Sequence, residues 1–235
     1  MQLANATILI TGANRGLGLA FARAALARGA RKVYAAARDP ASVTLPGVVP
    51  IQLDVTNPEH IAAAARDLPD VTLLINNAGI AATGGYLTDS SVASAQRHFD
   101  TNVFGPMRLT QAFAPVLAAH GGGAILNVLS IASWINSPLL GVYGMSKSAA
   151  WAMTNGTRIE LSEQHTQVLA LHVGFIDTDL TRGFDVPKLS PDAVVATALD
   201  ALEAGAIEVL ADDRTRHVHA NLSANPAIYL SAVPR

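Results

Sequence analysis

The chain has 235 residues, half of them apolar and only 14% charged, with a net charge of −2 and no cysteine. Such a composition supports a large buried core and excludes disulfides, thiolate metal sites and a general attraction to nucleic acid or anionic membrane. No apolar run approaches the roughly 20 residues of a bilayer span, and Met1–Thr7 lacks the basic start of a secretory signal, so a cytoplasmic protein with no membrane or nucleic-acid partner is expected.

Short β-rich apolar runs alternate with longer Ala-rich stretches. A strand over residues 6–10 leads through a glycine-rich turn into a helix over 18–28, and a second strand follows at 32–36. Residues 38–48 leave room for a loop or one turn, not a crossover helix, before a strand at 48–53. Thr56-Asn57-Pro58-Glu59 supplies a cap, a proline and an acid to open a helix over 58–67. A strand at 71–75, one long helix over 91–119, a strand at 124–129, a helix over 143–163 and a strand at 168–173 come next. Ser190-Pro191-Asp192 opens a helix over 191–204, and a last strand falls at 207–210. Strands that are apolar throughout belong to a parallel sheet covered on both faces. The pattern predicts an α/β fold: a single doubly wound Rossmann-type domain over residues 1–235, its seven-stranded, mostly parallel sheet flanked by helices.

Between the first strand and the first helix stands Thr11-Gly12-Ala13-Asn14-Arg15-Gly16-Leu17-Gly18. Glycines there allow a tight turn and let a pyrophosphate approach N–H groups at the positive end of the helix. The G-x-x-x-G-x-G spacing differs from G-x-G-x-x-G, and the bland alternative is a turn that binds nothing. Gly12, Asn14, Arg15, Gly16, Leu17 and Gly18 are the candidate cofactor-binding residues of this loop. About 20 residues on, NAD enzymes place an acid on the adenine-ribose 2′-hydroxyl. Here the residues are Ala36-Ala37-Arg38, with no acid before the arginine. Arg38 and Arg15 suit the charge and planar oxygens of a 2′-phosphate, so NADP(H) is expected, unless Arg38 is only a solvated residue before the Asp39-Pro40 turn.

Tyr143 and Lys147 are four apart on a predicted helix and share one face. Tyrosine, with a pKa near 10, is a poor base at neutral pH, but a nearby ammonium lowers that value and makes it a workable acid/base for a carbonyl oxygen. Ser130, thirteen residues earlier at the end of an apolar strand, can hydrogen-bond the same oxygen. Taken singly, each has an ordinary alternative: an interface aromatic, a solvated lysine, a strand-end hydroxyl. Their joint spacing favours catalysis.

The chain resembles the short-chain dehydrogenases/reductases. The features that carry the resemblance stand in family order: Thr11–Gly18, Leu53-Asp54-Val55, Asn76-Asn77-Ala78-Gly79, Asn102-Val103-Phe104-Gly105, Ser130, Tyr143, Lys147, then residues 173–178. The resemblance covers nearly the whole chain and thins after about Leu210. It implies that Lys147 also holds the nicotinamide ribose, and that Asn102 positions a water linking Lys147 to solvent. It also implies that Asp54 and Val55 lie at the adenine, Asn76, Ala78 and Gly79 along the cofactor, and Ile176 and Thr178 at the nicotinamide amide, with Tyr143 and Lys147 touching the cofactor as well. Asn77 reads as a structural hydrogen-bonder. One departure stands out. The family usually has Pro-Gly after the sixth strand, whereas this chain has His172-Val173-Gly174, which restores a backbone donor and is expected to loosen the turn.

The activity implied is hydride transfer between NADP(H) and a carbonyl or alcohol, of the carbonyl reductase type. The alternatives are an NAD(H)-linked alcohol dehydrogenase and a non-catalytic dinucleotide sensor on the same fold. Segments 80–87, 134–140 and 175–184 should frame the substrate pocket. They contribute Trp134, Ile135, Leu139, Leu140, Phe175, Leu180 and Phe184, a wall suited to an apolar ketone or aldehyde. The two long helices are expected to make a homo-oligomer, a dimer or tetramer. His217 and His219, two apart as on one side of a strand, have no third ligand in view, and no metal is expected.

Overall fold

The computed structural model describes residues 1–230. In chain order the elements are β1 (Thr7–Thr11), α1 (Gly16–Ala27), β2 (Lys32–Ala37), β3 (Val49–Gln52), α2 (Pro58–Asp67), β4 (Leu73–Asn76) and α3 (Ser91–Phe99). Then follow α4 (Gly105–Ala119), β5 (Gly123–Val128), α5 (Gly141–Glu160), β6 (Thr166–His172), α6 (Pro191–Glu203), β7 (Glu208–Leu210) and α7 (Asp213–Ala220). The seven strands form one sheet in the order β3-β2-β1-β4-β5-β6-β7. Every ladder is parallel, where a mostly parallel sheet was expected.

Alternate residues of the strands feed two cores. Ile8, Ile10, Leu169 and Leu171 meet Phe21 of α1 and Val195 and Leu199 of α6 on one face. Leu9, Leu74, Ile125 and Val168 meet Ile61 of α2 and Leu109 and Phe113 of α4 on the other. Each such fully buried side chain is worth ~1.5–3 kcal/mol, which is why β1, buried at all five positions, reads as a continuous apolar run. Strand β3 departs from that expectation. It lies at the sheet edge and exposes Val49 and Pro50, a placement that suits proline because no partner needs its missing N–H.

Residues 38–48 carry only a single turn at Pro40–Ser42, as the short spacing required. The long helix expected over 91–119 is present as a continuous helical run, with one local widening. A wide five-residue turn, Asp100–Phe104, joins α3 to α4. Gly105-Pro106 favours the widening locally: proline offers no helical N–H, and Gly105 lies so close to Val55 that an added Cβ would stand 3.0 Å from its Cγ2. The chain after β7 forms α7, capped by Asp212, whose carboxylate accepts from Thr215 N. His217 and His219 therefore sit on a helix, not a strand. Among the described residues no helix is long and apolar enough to cross a membrane.

Candidate active site

The strand order reverses between β1 and β4, and a cavity of about 880 Å³ opens there at the carboxyl ends of the strands. It runs from Ala37, the last residue of β2, and Arg38 to Ser130, after β5. Those strands are three places apart, about 14 Å at the usual spacing, so the cavity suits an extended ligand.

The glycine loop forms its floor. Gly12 and Gly16 have φ of +65° and +54°, and a Cβ on Gly12 would stand 3.1 Å from the Ala78 backbone. Gly18 does not line the cavity. A Cβ there would fall 2.1 Å from the Gly12 carbonyl oxygen, so this glycine lets α1 pack on β1 and is not free to touch a ligand. Asn14, Arg15, Leu17, Arg38, Asp54, Val55, Ala78, Gly79, Ile176 and Thr178 all line the cavity as expected. Asn76 does not. It is buried at the end of β4 and donates to Asn127 Oδ1 at 2.8 Å, while Asn127 donates to Thr154 Oγ1 at 3.0 Å. Asn77 instead borders the cavity and braces the loop, donating to the Thr11 and Gly12 carbonyls at 2.8 and 3.2 Å. Thr11, not singled out from sequence, accepts from the Asn77 and Ala78 N–H groups, each at 3.0 Å, through its hydroxyl.

On the wall beside Arg38, Asp54 accepts from Thr56 N and Oγ1 at 2.9 and 2.8 Å. Burial is the largest single influence and raises its carboxyl, but these bonds and the nearby charges of Arg38 and His60 together outweigh it and hold the carboxyl below the ordinary range. Arg38 makes no hydrogen bond or ion pair among the described residues, whereas Arg15 reaches Asp179 at 3.2 Å across the cavity mouth.

Ser130, Tyr143 and Lys147 converge at the far end. Tyr143 lies in the first turn of α5, with Ser130 close enough to act on its phenol. Lys147 Nζ stands 5.8 Å from the Tyr143 ring centroid and donates to Val128 O at 2.8 Å. Burial pushes the lysine down to about 8. Burial also pushes the Tyr143 phenol up, with the nearby Ser130 side chain opposing. The expectation of a phenol lowered by its ammonium neighbour is thereby overturned: both groups are desolvated, and desolvation disfavours phenolate and ammonium alike.

Asn102 sits in the wide turn before α4, buried, and its side chain is fully committed. Oδ1 accepts from Ile80 N at 2.9 Å, and Nδ2 donates to Ile80 O and Ser146 Oγ, each at 3.0 Å. It thus ties the Gly79-Ile80 wall to α5. The same wall is held by His98, which sequence reasoning passed over: its Nε2 accepts from Ala82 N at 3.1 Å and its ring stands edge-on to Tyr143 at 6.4 Å. Tyr86 donates to Gly141 O at 2.7 Å and closes the wall onto the start of α5.

Of the seven apolar residues expected in the substrate wall, only Leu180 lines the cavity. Trp134 turns away and stacks on His172 at 4.0 Å, and Ile135 packs against the same cluster. Leu139 is exposed at the rim, and Phe175 and Phe184 pack on each other at 5.2 Å. The turn after β6 is not loosened by Val173. Val173 O accepts from Ile131 N at 2.9 Å, and Gly174 N donates to Asp212 at 2.8 Å, so the α7 cap takes over the restraint a proline would give.

The short chain dehydrogenase family model matches residues 6–187. The chain belongs to that family. Over 195 residues it is 33% identical to dehydrogenase/reductase SDR family member 7B of Bos taurus, covering 75% of this chain and 60% of that one. It is 32% identical over 194 residues to an NADP-dependent 3-hydroxy acid dehydrogenase of Schizosaccharomyces pombe, covering 77% and 75% of the two chains. A crystal structure of a short chain dehydrogenase from Burkholderia cenocepacia in complex with NADP superposes with a TM-score of 0.95 at 37% identity, covering 100% of both chains. The chain spans about half to two thirds of the length of several curated relatives that it matches, 49% and 60% in two of them. The family is one of oxidoreductases that use a nicotinamide dinucleotide.

Proposed function

We propose that the protein reduces an apolar ketone or aldehyde with NADPH, Tyr143 acting as the general acid. The observation that carries this is the meeting of Ser130, Tyr143 and Lys147 at one end of a cavity whose other end holds Arg38 and the glycine loop. The residues fit the dinucleotide. A side chain on Gly12 or Gly16 would need a strained backbone and would crowd Ala78 or Thr178, so the loop keeps its surface open to a pyrophosphate. Gly12, Asn14, Arg15, Gly16 and Leu17 would hold the phosphates, Asp54 and Val55 the adenine, and Ala78, Gly79, Ile176 and Thr178 the nicotinamide side. When bound, the cofactor supplies the hydride.

The proton comes from the protein. A phenol raised above its ordinary value keeps its proton at neutral pH and donates it to the carbonyl oxygen as the carbon accepts hydride. The Ser130 hydroxyl donates to the same oxygen, and its own oxygen is steadied by Ala132 N at 3.1 Å. Lys147, held on Val128 O, orients the ribose and lends positive charge as negative charge develops on Tyr143. Asn102 acts through the wall it braces. The raised phenol favours reduction at neutral pH, whereas alcohol oxidation needs phenolate and should gain with rising pH.

For cofactor choice, Ala37 stands where an NAD enzyme would carry an acid, and Arg38, beside Asp54, makes no hydrogen bond or ion pair among the described residues. Both features support NADP(H) over NAD(H). Ile80, Val173 and Leu180 at the catalytic end support a neutral, apolar substrate. The test is NADPH and NADH consumption, followed by nicotinamide absorbance, against aldehydes, aryl ketones, diketones and quinones. Turnover restricted to charged carbonyl acids, or to NADH, would refute it.

A further inference from the structure

Behind Ser130, on the side away from the cavity, lies a buried group that the chemistry above does not use. His172, the last residue of β6, is fully buried. Its Nδ1 is 3.3 Å from Ser130 O, and its Nε2 is 3.3 Å from Glu208 Oε1 on β7. The approach to Glu208 is close, but Nε2 makes no aligned hydrogen bond there. The other carboxylate oxygen of Glu208 is 3.4 Å from His219 Nε2 on α7. Trp134 closes the group, stacked on His172 at an interplanar angle of 20° and tilted against His219 at 5.0 Å.

Both nitrogens of His172 face oxygens that only accept, so a neutral ring can donate to one of them alone, and a ring protonated at both donates toward each. The chain of groups ends on a backbone carbonyl, which cannot pass a proton onward. It is therefore suited to holding a peptide plane and unsuited to relaying protons. That plane matters, because Ser130 O also accepts from Ser133 N at 2.9 Å and Ser130 Oγ accepts from Ala132 N. The Ser130 hydroxyl is aimed by the short turn over residues 131–133, and His172 grips the carbonyl at its start.

We propose that His172, braced by Glu208 and clamped by Trp134, is a positioning residue that sets the aim of the Ser130 hydroxyl at the substrate oxygen. This rests on the assignment of Ser130 to the reacting oxygen. Misplacing a catalytic group by a fraction of an ångström costs turnover and leaves binding at the distant dinucleotide end intact.

The test uses variants that separate the two nitrogens. In His172→Asn the amide nitrogen falls near the old Nδ1 and can still reach Ser130 O. In His172→Gln the amide sits near the old Nε2 and loses that reach, and His172→Phe keeps the stack on Trp134 with no donor. Losing one hydrogen bond of about 1.4 kcal/mol corresponds to about tenfold. His172→Gln and His172→Phe should thus lower kcat about tenfold at unchanged NADPH affinity, and His172→Asn should restore most of it. In a Ser130→Ala background, itself strongly impaired, adding His172→Phe should cost little more. Equal kcat in all three variants, or a full additional loss without the serine hydroxyl, would overturn the proposal. A Ser130→Ala variant with wild-type turnover would instead refute the role given to Ser130 itself. NADPH titration and thermal melting of each variant show that it is folded.

Discussion

Lys147 offers a prediction that runs against the usual effect of deleting an active-site residue. Its ammonium is buried and its pKa falls from 10.5 to about 8. At ~1.4 kcal/mol per unit, the charged form is penalised by about 3 kcal/mol relative to the unfolded chain. The folded value lies below the unfolded one, so the penalty is fully present below pH 8. It is relieved as pH rises from about 8 to 10.5, where the unfolded chain binds the extra proton. Lys147→Met removes the charge and keeps the apolar stem. It also deletes the bond to Val128 O, which offsets about 1 kcal/mol of the gain. The net stabilisation of the free protein at pH 7 should be about 1–3 kcal/mol, or roughly 2–10 °C in Tm for a chain of this size. Urea unfolding of wild type and variant at pH 7 and pH 10 measures it, and the gap should narrow at the higher pH while the variant stays inactive at both. A variant less stable than wild type at pH 7, or a gap that does not change with pH, would refute the buried-charge account.

Other consequences are as direct. Arg38→Ala should weaken NADPH at least about tenfold, since a charge-assisted hydrogen bond is worth ~1.5–3 kcal/mol, and barely change NADH. Ala37→Asp should go further toward NADH, and paired binding titrations check both; equal loss of the two cofactors in Arg38→Ala would exclude a 2′-phosphate contact. Gly18→Ala should destabilise by at least ~1–3 kcal/mol, because its Cβ meets the Gly12 carbonyl; a melt unchanged from wild type would contradict this. Val92, Phe104, Met107 and Ile159 are exposed on α3, the turn before α4, α4 and α5, so a homo-oligomer is expected. Light scattering giving a 24.4 kDa particle would overturn that.

What was legible in the sequence was what depends on local spacing. The glycine loop, the Tyr143/Lys147 pair one helical turn apart and the strand-end Ser130 could be placed because strand–turn–helix context fixes where such residues project. Continuous apolar strands likewise announced a covered parallel sheet. Features that depend on distant partners were not legible. Nothing nearby distinguishes Asn76, taken up by Asn127 and Thr154, from Asn77, which borders the cavity. Trp134 read as pocket wall because its partner His172 lies 38 residues further on. The widened turn at Asp100–Phe104 arises where Gly105 meets Val55 across the fold, and α7, short and polar, lacks an apolar stripe. The direction of the Tyr143 shift was missed for a related reason: spacing reveals the neighbouring lysine, but burial, which decides the sign, belongs to the whole fold.

The central claim is proton delivery by Tyr143 at the catalytic end of the cavity. Its most direct test is Tyr143→Phe, which keeps the ring and removes the proton, assayed for NADPH consumption with an accepted carbonyl substrate beside an NADPH binding titration. Turnover should fall by at least ~10²-fold with NADPH affinity nearly unchanged. Wild-type turnover in the variant on every accepted substrate would contradict the account.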